Sequence, residues 1–320
     1  MKMFDVTALG ELLIDFTENG VSENGNPLLE ANPGGAPCNV LAMLNKLGRK
    51  TAFIGKVGND NFGRFLADTV RRSGTDITNL VYNDKVPTTL AFVHTLAEGE
   101  REFSFYRQPG ADMTLSKEEV MTDIIESSRI FHFGTLSSTH PGVREATRFA
   151  VEFAKEKGLL ISFDPNLREP LWESLDDAKR EIEYGLSKCD ILKISDNELE
   201  FVTDTSDYDE GIRRIREKYD IPLIFLTLGK DGSCAYYKDI RVERPAYQGV
   251  SAVEKTGAGD TFEGCVLDFV LEYGIDGFDE SKLSELLDFA NAGAAIITTR
   301  KGALKVMPDK MEIARILDKK

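Results

Sequence analysis

The sequence predicts an α/β fold: one doubly wound, mostly parallel sheet flanked by helices over residues 1–320, with a small β lid formed by about 11–33 and 86–110. Three observations carry that prediction. Short apolar runs alternate with longer amphipathic stretches along nearly the whole chain, the rhythm of repeated βα units. The apolar runs carry hydrophobic residues on both faces, as buried parallel strands do. Two segments break the rhythm, one polar and without helical period and one reading as a pair of β runs, and these are assigned to the lid.

The strand runs are Phe4–Leu9, Thr51–Gly55, Arg129–Phe133, Leu159–Phe163, Asp190–Ile194 and Pro222–Leu228, most of them bounded by Gly, Asp or Pro. Between them, Ala36–Leu47, Asn61–Ser73, Pro141–Lys157, Asp177–Ser187 and Tyr208–Tyr219 repeat apolar residues at helical spacing. After the first strand, Glu11–Asn32 is polar, rich in Gly and Asn, and has no helical period. Later, Thr88–Thr95 and Arg101–Arg107 read as two β runs joined by a turn at Ala97-Glu98-Gly99-Glu100. A flap over the C-terminal edge of the sheet is one place for such a hairpin; an extension of the main sheet's edge is the other.

Composition narrows the function. Apolar residues make up 42% and charged residues 29%, an ordinary globular balance. A net charge of −15 argues against nucleic acid and acidic membranes as partners, since both would be repelled. It leaves open a phosphate-bearing small molecule, because a local nest of amides can hold an anion. The four cysteines, Cys38, Cys189, Cys234 and Cys265, form no Cys-x-x-Cys pair, which suits a reducing cytoplasm. His94, His132 and His140 form no zinc-binding helix motif. No apolar run approaches a membrane span, and the first residues show no secretory leader, so a cytoplasmic location is expected.

The strongest chemical signal is Thr256-Gly257-Ala258-Gly259-Asp260-Thr261-Phe262. Phe262, Val266, Phe269, Val270 and Tyr273 follow at helical spacing and Gly274 is a plausible stop, so Gly257–Gly259 sit where a loop becomes a helix. There the backbone amides can crowd around an anion that the helix dipole also favours. Asp260 falls in the first turn, within reach of whatever the amides hold. A carboxylate base beside an anion cradle is what phosphoryl transfer to an alcohol requires. The plainer alternative is that Asp260 only caps a helix after a Gly-rich turn. Neither Gly55-Lys56 nor Gly229-Lys230 precedes Ser or Thr, which excludes a P-loop, and Phe262 stands where a dinucleotide fingerprint needs its third glycine.

The Gly257–Asp260 run resembles the C-terminal signature of the ribokinase-like (phosphofructokinase-B) sugar kinases. Gly34-Gly35-Ala36-Pro37-Cys38-Asn39, with Gly55-Lys56-Val57-Gly58-Asn59-Asp60-Asn61-Phe62-Gly63, resembles their N-terminal signature. Gly10-Glu11-Leu12-Leu13-Ile14-Asp15-Phe16, Phe105 to Asp112, and Phe163-Asp164-Pro165-Asn166-Leu167-Arg168 look most like bacterial fructokinases. The resemblance implies an ATP-dependent sugar kinase acting on a primary hydroxyl, with D-fructose as the expected acceptor. Kinases of the same family acting on 2-keto-3-deoxygluconate or ribose are the rivals. A regulator that binds sugar or nucleotide without catalysis is the rival from another class.

By the same resemblance, Asp260 is the base and the amides of Gly257, Ala258 and Gly259 form the anion hole. Asp15, Gly34, Gly35 and Asn39 face the sugar. Arg107 is expected on the substrate and Arg168 on phosphate or sugar, with a surface salt bridge as the alternative for either; Asp164 and Asn166 are weaker candidates. Thr227, Gly229, Gly232, Lys193 and Asn291 are assigned to the nucleotide. Magnesium is expected with ATP, controlled through water by Glu198, although Ser195 stands where the family has asparagine; Asn197 to Glu200 is the competing register. Lys255 occupies a place where many members carry Asp beside a monovalent cation, which makes a potassium requirement doubtful. An exposed lid edge could pair with its copy in a homodimer.

Overall fold

The computed structural model describes residues 2–95 and 101–318; the expected turn at Ala97–Glu100 lies outside the described residues. The chain forms β1 (Val6–Leu9), the hairpin β2 (Leu13–Val21) and β3 (Pro27–Gly34), then α1 (Ala36–Lys46), β4 (Thr51–Gly58), α2 (Asn61–Arg72) and β5 (Asp76–Asn83). Strands β6 (Leu90–Thr95) and β7 (Arg101–Tyr106) follow, and α3 (Thr122–Glu126) leads to β8 (Ile130–Gly134). Regular alternation then runs through α4 (Pro141–Glu156), β9 (Leu160–Asp164), α5 (Leu175–Leu186), β10 (Ile191–Ser195), α6 (Asp196–Thr203), α7 (Tyr208–Lys218) and β11 (Leu223–Thr227). The hairpin β12 (Ser233–Tyr237) and β13 (Ile240–Arg244) precedes α8 (Ala258–Tyr273), α9 (Glu280–Thr298) and α10 (Lys310–Leu317).

The predicted doubly wound sheet is present as nine strands in the order β13-β12-β11-β10-β9-β8-β1-β4-β5. From β5 through β11 every pairing is parallel, while β12 and β13 add antiparallel at the edge. Chain order reverses at β1: the sheet grows to β4 and β5 on one side, then returns to β8 on the other. A crevice opens beyond the carboxyl ends of the strands at such a switch point. Several strands and helices fall outside the elements read from the sequence. Among them, β5 spells Asp-Ile-Thr-Asn-Leu-Val-Tyr-Asn at the sheet edge, and β13 exposes alternate polar residues. Edge strands bury one face or less, so their apolar signal is diluted.

Strand residues alternate between two buried layers. Val6, Ala8, Ile130, Ile191 and Phe225 pack with α1, α8 and α9, among them Leu41, Val266 and Leu287. Leu9, Phe131, Phe133, Leu192 and Ile224 pack on the other face with α4, α5 and α7, among them Val151, Ile182 and Ile212. Both faces are covered, which is why the strands read as continuous apolar runs.

The four-stranded second sheet has the order β3-β2-β6-β7. It is neither a bare hairpin nor an extension of the main sheet: the polar segment after β1 supplies half of it, through β2 and β3. Its inner face centres on Phe16, stacked on Phe92 at 5.0 Å and edge-on to Phe62 of α2 at 5.7 Å. Asp60, the N-cap of α2, anchors its root. Its Oδ1 accepts from Gly63 N and Thr88 Oγ1, each at 2.8 Å, and its Oδ2 accepts from Thr88 N at 2.8 Å. Burial works to raise this carboxyl, but the bonds to Thr88 and Gly63 outweigh it and hold the pKa below the usual value. Its contribution to stability is therefore present at neutral pH and lost as pH falls through that lowered pKa. Asp60→Ala strands several donors at once, and we expect a loss of about 1–3 kcal/mol in denaturant unfolding at pH 7. An unchanged midpoint would show that α2 and the lid root do not depend on this cap.

Candidate active site

The carboxyl ends of the parallel strands and the first turns of α1 and α8 surround a cleft of about 440 Å3 roofed by the second sheet. The carboxyl end of β11 and the segments that follow β1, β8, β9 and β10 contribute Thr227, Glu11, Leu136, Arg168 and Asp196, and the lid contributes Asp15 and Phe105.

At the floor, α8 begins where the sequence places it. Gly257 is the N-cap with φ +79°, a left-handed conformation that glycine adopts without strain. The first helical bond runs from Thr261 N to Gly257 O at 2.8 Å, and Ala258 N reaches Lys255 O only at 3.4 Å. The amides of Gly259 and Asp260 precede any helical acceptor and face the cleft at the positive end of the helix dipole. Lys193 lies beneath them: a Cβ on Gly259 would stand 3.2 Å from its Nζ. The Lys193 ammonium is buried and pairs with Asp164, at 3.1 Å to Oδ1 and 2.9 Å to Oδ2. Burial works against its charge, but Asp164, Glu198 and Asp260 more than offset that and raise its pKa. A fixed cation thus underlies the cradle.

Asp260 Oδ2 accepts from Asn39 Nδ2 at 2.8 Å. Burial raises its carboxyl to about 6; the Asn39 bond opposes this, Asp164 adds to it, and Lys193 and Arg168 oppose it. It is ionised at neutral pH yet close enough to neutrality to accept a proton in a reaction. Asn39 is buried, and its Oδ1 has no partner among the described residues. That leaves one open acceptor beside Asp260.

The lid side explains the paired glycines. A Cβ on Gly34 would lie 2.2 Å from Asp15 Oδ2, so only glycine lets that carboxylate lie against the strand. Gly35 has φ +125°, and a Cβ there would meet Glu11 O at 2.4 Å. Both residues thus shape the wall carrying Asp15 and open α1 toward Asn39. Glu11, absent from the expected site residues, caps α1 by accepting from Ala36 N at 2.8 Å. Burial lifts its carboxyl to about 7 against the pull of its backbone bonds. Its place just after β1 and Gly10 was the available signal.

The two arginines part company. Arg168 lines the cleft, half-buried, and donates from Nη1 to Leu167 O at 3.0 Å; among the described residues no carboxylate pairs with it. Arg107, expected on the substrate, turns inward instead. Its Nε donates to Asp112 Oδ2 at 2.8 Å, Nη1 to Thr139 Oγ1 at 2.7 Å and Nη2 to Leu136 O at 3.0 Å, and the side chain is 3% exposed. Neither the substrate contact nor a surface salt bridge is what the structure places there: Asp112 takes the guanidinium into a buried pair below the lid. Asp164 serves Lys193, and Asn166, with φ +45°, lines the cleft.

At the other end, Thr227, Gly229 and Gly232 border the cleft after β11. Asn291 lines it too, but its amide is engaged: Oδ1 accepts from Ser233 Oγ at 3.0 Å and Nδ2 donates to Pro245 O at 3.2 Å. It braces the turn after β13 and leaves the apolar wall near Ala294 to meet a ligand. Lys255 stands exposed at the rim, whereas Glu254 is the buried carboxylate of that turn and accepts from Gly302 N at 3.0 Å. The ammonium does not occupy the buried turn, so the repulsion expected to disfavour a monovalent cation there is displaced to solvent.

Ser195 caps α6 in a capping box with Glu198, whose Oε2 accepts from Ser195 N at 2.9 Å and Oε1 from Leu167 N at 2.8 Å. Ser195, Asp196 and Glu198 line the cleft, while Asn197 and Glu200 are exposed, so the Ser195–Glu198 register faces the site. Among the described residues no three His, Cys, Asp or Glu side chains form a metal cluster. Glu198 lines the cleft with both oxygens bonded to backbone amides, so it would meet a divalent ion carried by a polyphosphate through water.

Comparison with known proteins gives this cleft its context. Fructokinase-1 of Zea mays is 40% identical over 316 residues, covering 98% of this chain and 98% of its own. A Xylella fastidiosa fructokinase crystallised with ATP superposes with a TM-score of 0.88 at 28% identity, covering 98% of each chain. A Vibrio cholerae fructokinase crystallised with fructose, ADP and calcium superposes with a TM-score of 0.86 at 28% identity, covering 99% of this chain and 100% of its own. The profile of the pfkB family carbohydrate kinases matches residues 3–310, nearly the whole of the cleft-bearing fold, and the chain belongs to that family.

Proposed function

We propose that this chain is an ATP-dependent fructokinase that converts D-fructose to fructose 6-phosphate. The observation that carries the reading is Asp260, hydrogen-bonded to Asn39 and set one residue after amides and a buried cation that together hold an anion. In this reading the sugar lies between Asp15 and Asn39, with a hydroxyl donating to the open Asn39 Oδ1. Asp260 takes the proton of the primary hydroxyl. Its oxygen then bonds to the γ-phosphorus as the bond to the β-phosphate oxygen breaks and ADP departs. The amides of Gly257–Gly259 and Lys193 stabilise the charge on the transferring group, and Arg168 steadies phosphate or sugar. Thr227, Gly229 and Gly232 border the nucleotide, and magnesium neutralises its phosphates. The lid over the cleft keeps out water, the competing acceptor.

An ATP-consumption assay with fructose, ribose and 2-keto-3-deoxygluconate, run on wild type and Asp260→Asn, tests the assignment. Fructose should be the preferred acceptor by kcat/KM, and the variant should lose about 10²–10⁴-fold in kcat while still binding ATP. Preference for another sugar would reassign the substrate, and no turnover with any sugar would leave a non-catalytic binding protein. The pH dependence follows from Asp260. Because its carboxyl is raised to about 6, the active ionised form is lost on acidification, so kcat should fall about tenfold per pH unit below about 6. A flat profile between pH 5 and about 7 would remove Asp260 as the base.

The lid also supports a homodimer. Leu28 and Leu29 on β3 and Tyr106 on β7 are exposed apolar residues on the second sheet, 47%, 42% and 68% accessible. An exposed sheet of this kind is covered most simply by its own copy. Light scattering should give twice the chain mass, and Leu29→Asp should shift it to monomer. A monomeric wild type at micromolar concentration would refute the dimer. No described helix is long and apolar enough to cross a membrane, and all four cysteines are free thiols. Both features support a cytoplasmic enzyme.

A further inference from the structure

Beneath Asp260 lies a buried polar chain that the proposed reaction does not use. Glu263, one helical turn after Asp260 on α8, is 0% exposed. Its Oε1 lies 2.6 Å from Ser162 Oγ of β9, and Ser162 Oγ lies 2.9 Å from His132 Nδ1 of β8. Its Oε2 is buried and has no hydrogen-bond partner among the described residues. Among the described residues the basic group within 4 Å is His132, at 3.9 Å from Oε1, and burial first, then Lys193, keeps that imidazole neutral by lowering its pKa to about 3.

We propose that Glu263 is a positioning residue for the catalytic base, working as a neutral carboxylic acid that ties the first turn of α8 to β8 and β9. An ionised carboxylate with one orphaned oxygen and no cationic partner would bear the full cost of burial. The 2.6 and 2.9 Å separations accommodate a neutral acid: its hydroxyl would donate to Ser162 Oγ in place of the serine donating to a carboxylate, and the serine hydroxyl would then donate to His132 Nδ1. The groups facing it divide: the Ser162 bond from β9 and Lys193 on β10 favour its ionisation, Asp164 on β9 and Asp260 on α8 oppose it, and Cys189 ahead of β10 and His132 on β8 are uncharged. Burial, first of these effects, raises the Glu263 carboxyl to about 8. A neutral group at this place anchors the turn that carries both the cradle and Asp260 without adding a negative charge that would hinder proton loss from Asp260.

The proposal rests on Asp260 being the base, so Asp260→Asn is measured alongside; an active Asp260→Asn would overturn that reading by itself, whatever Glu263 does. Glu263→Ala should lower kcat at least about tenfold with KM for sugar and ATP within about twofold, because the base is displaced and not the binding groups. Glu263→Gln, which mimics the neutral acid, should restore kcat and leave the acid limb of the pH profile in place. Thermal unfolding gives a second readout. A carboxyl raised in the folded state stabilises most at low pH and loses that contribution as pH climbs through about 8, so wild type should lose stability against Glu263→Gln between pH 5 and about 9. Wild-type kcat in Glu263→Ala, an acid limb moved down by more than about half a unit in Glu263→Gln, or parallel melting curves would each overturn the proposal. Should Glu263→Ala fail to fold, Ser162→Ala must show the same loss in kcat at unchanged KM, and an unchanged kcat there would be equally decisive.

Discussion

The first turns of α1 and α8 meet at one hydrogen bond, from Asn39 to Asp260, and the working arrangement of the cleft depends on it. The two helices can approach so closely because α8 carries Gly264 at the crossing, where a Cβ would stand 2.7 Å from Met43 Cβ of α1. Close packing brings two positive helix ends to one spot at the carboxyl edge of the sheet. One end is capped by Glu11, which keeps its charge within the protein; the other is left open as an anion cradle. From that single juxtaposition follow the carboxyl raised by burial, the unpartnered amide oxygen of Asn39, and the glycines that keep the surrounding walls close.

Charge in this molecule is organised against its own average. A chain with net charge −15 offers anionic ligands no general attraction. The cleft answers with a buried ammonium at Lys193, half-buried Arg168, Lys255 on the rim, and backbone dipoles that carry no net charge. Lys193 is locked by Asp164, so its charge is in place before any ligand arrives, which spares reorganisation during the reaction. The nearby carboxylates that would spoil this field are occupied: Glu198 by two backbone amides and Asp164 by Lys193.

Much of this was legible in the residues, and where reading stopped the reason is physical. The parallel sheet was visible because its central strands are buried on both faces, whereas β5 and β13 stand at the edges, where burial is one-sided or broken. The cradle was visible because Gly257 must adopt a left-handed conformation and Asp260 follows it in sequence. Arg107 and Arg168 carried the same signal, a guanidinium at a strand end. Which of them reaches the cleft depends on where Asp112 and Thr139 fall in space. Lys255 and Glu254 are neighbours in sequence, and only the fold sends the first to solvent and the second into the turn.

The sequence by itself determined the βα rhythm, the place where α8 begins, and the identity of the groups able to hold an anion and accept a proton. These are local properties, set by periodicity, glycine conformation and side-chain chemistry within a few residues. Tertiary structure alone decided that Asn39 and Asp260, 221 positions apart, share a hydrogen bond, that Gly34 exists to make room for Asp15, and that Glu263 ends on an unpaired oxygen. Such facts depend on side-chain direction and burial, which arise only when distant strands and helices close on one another, and no local pattern encodes them.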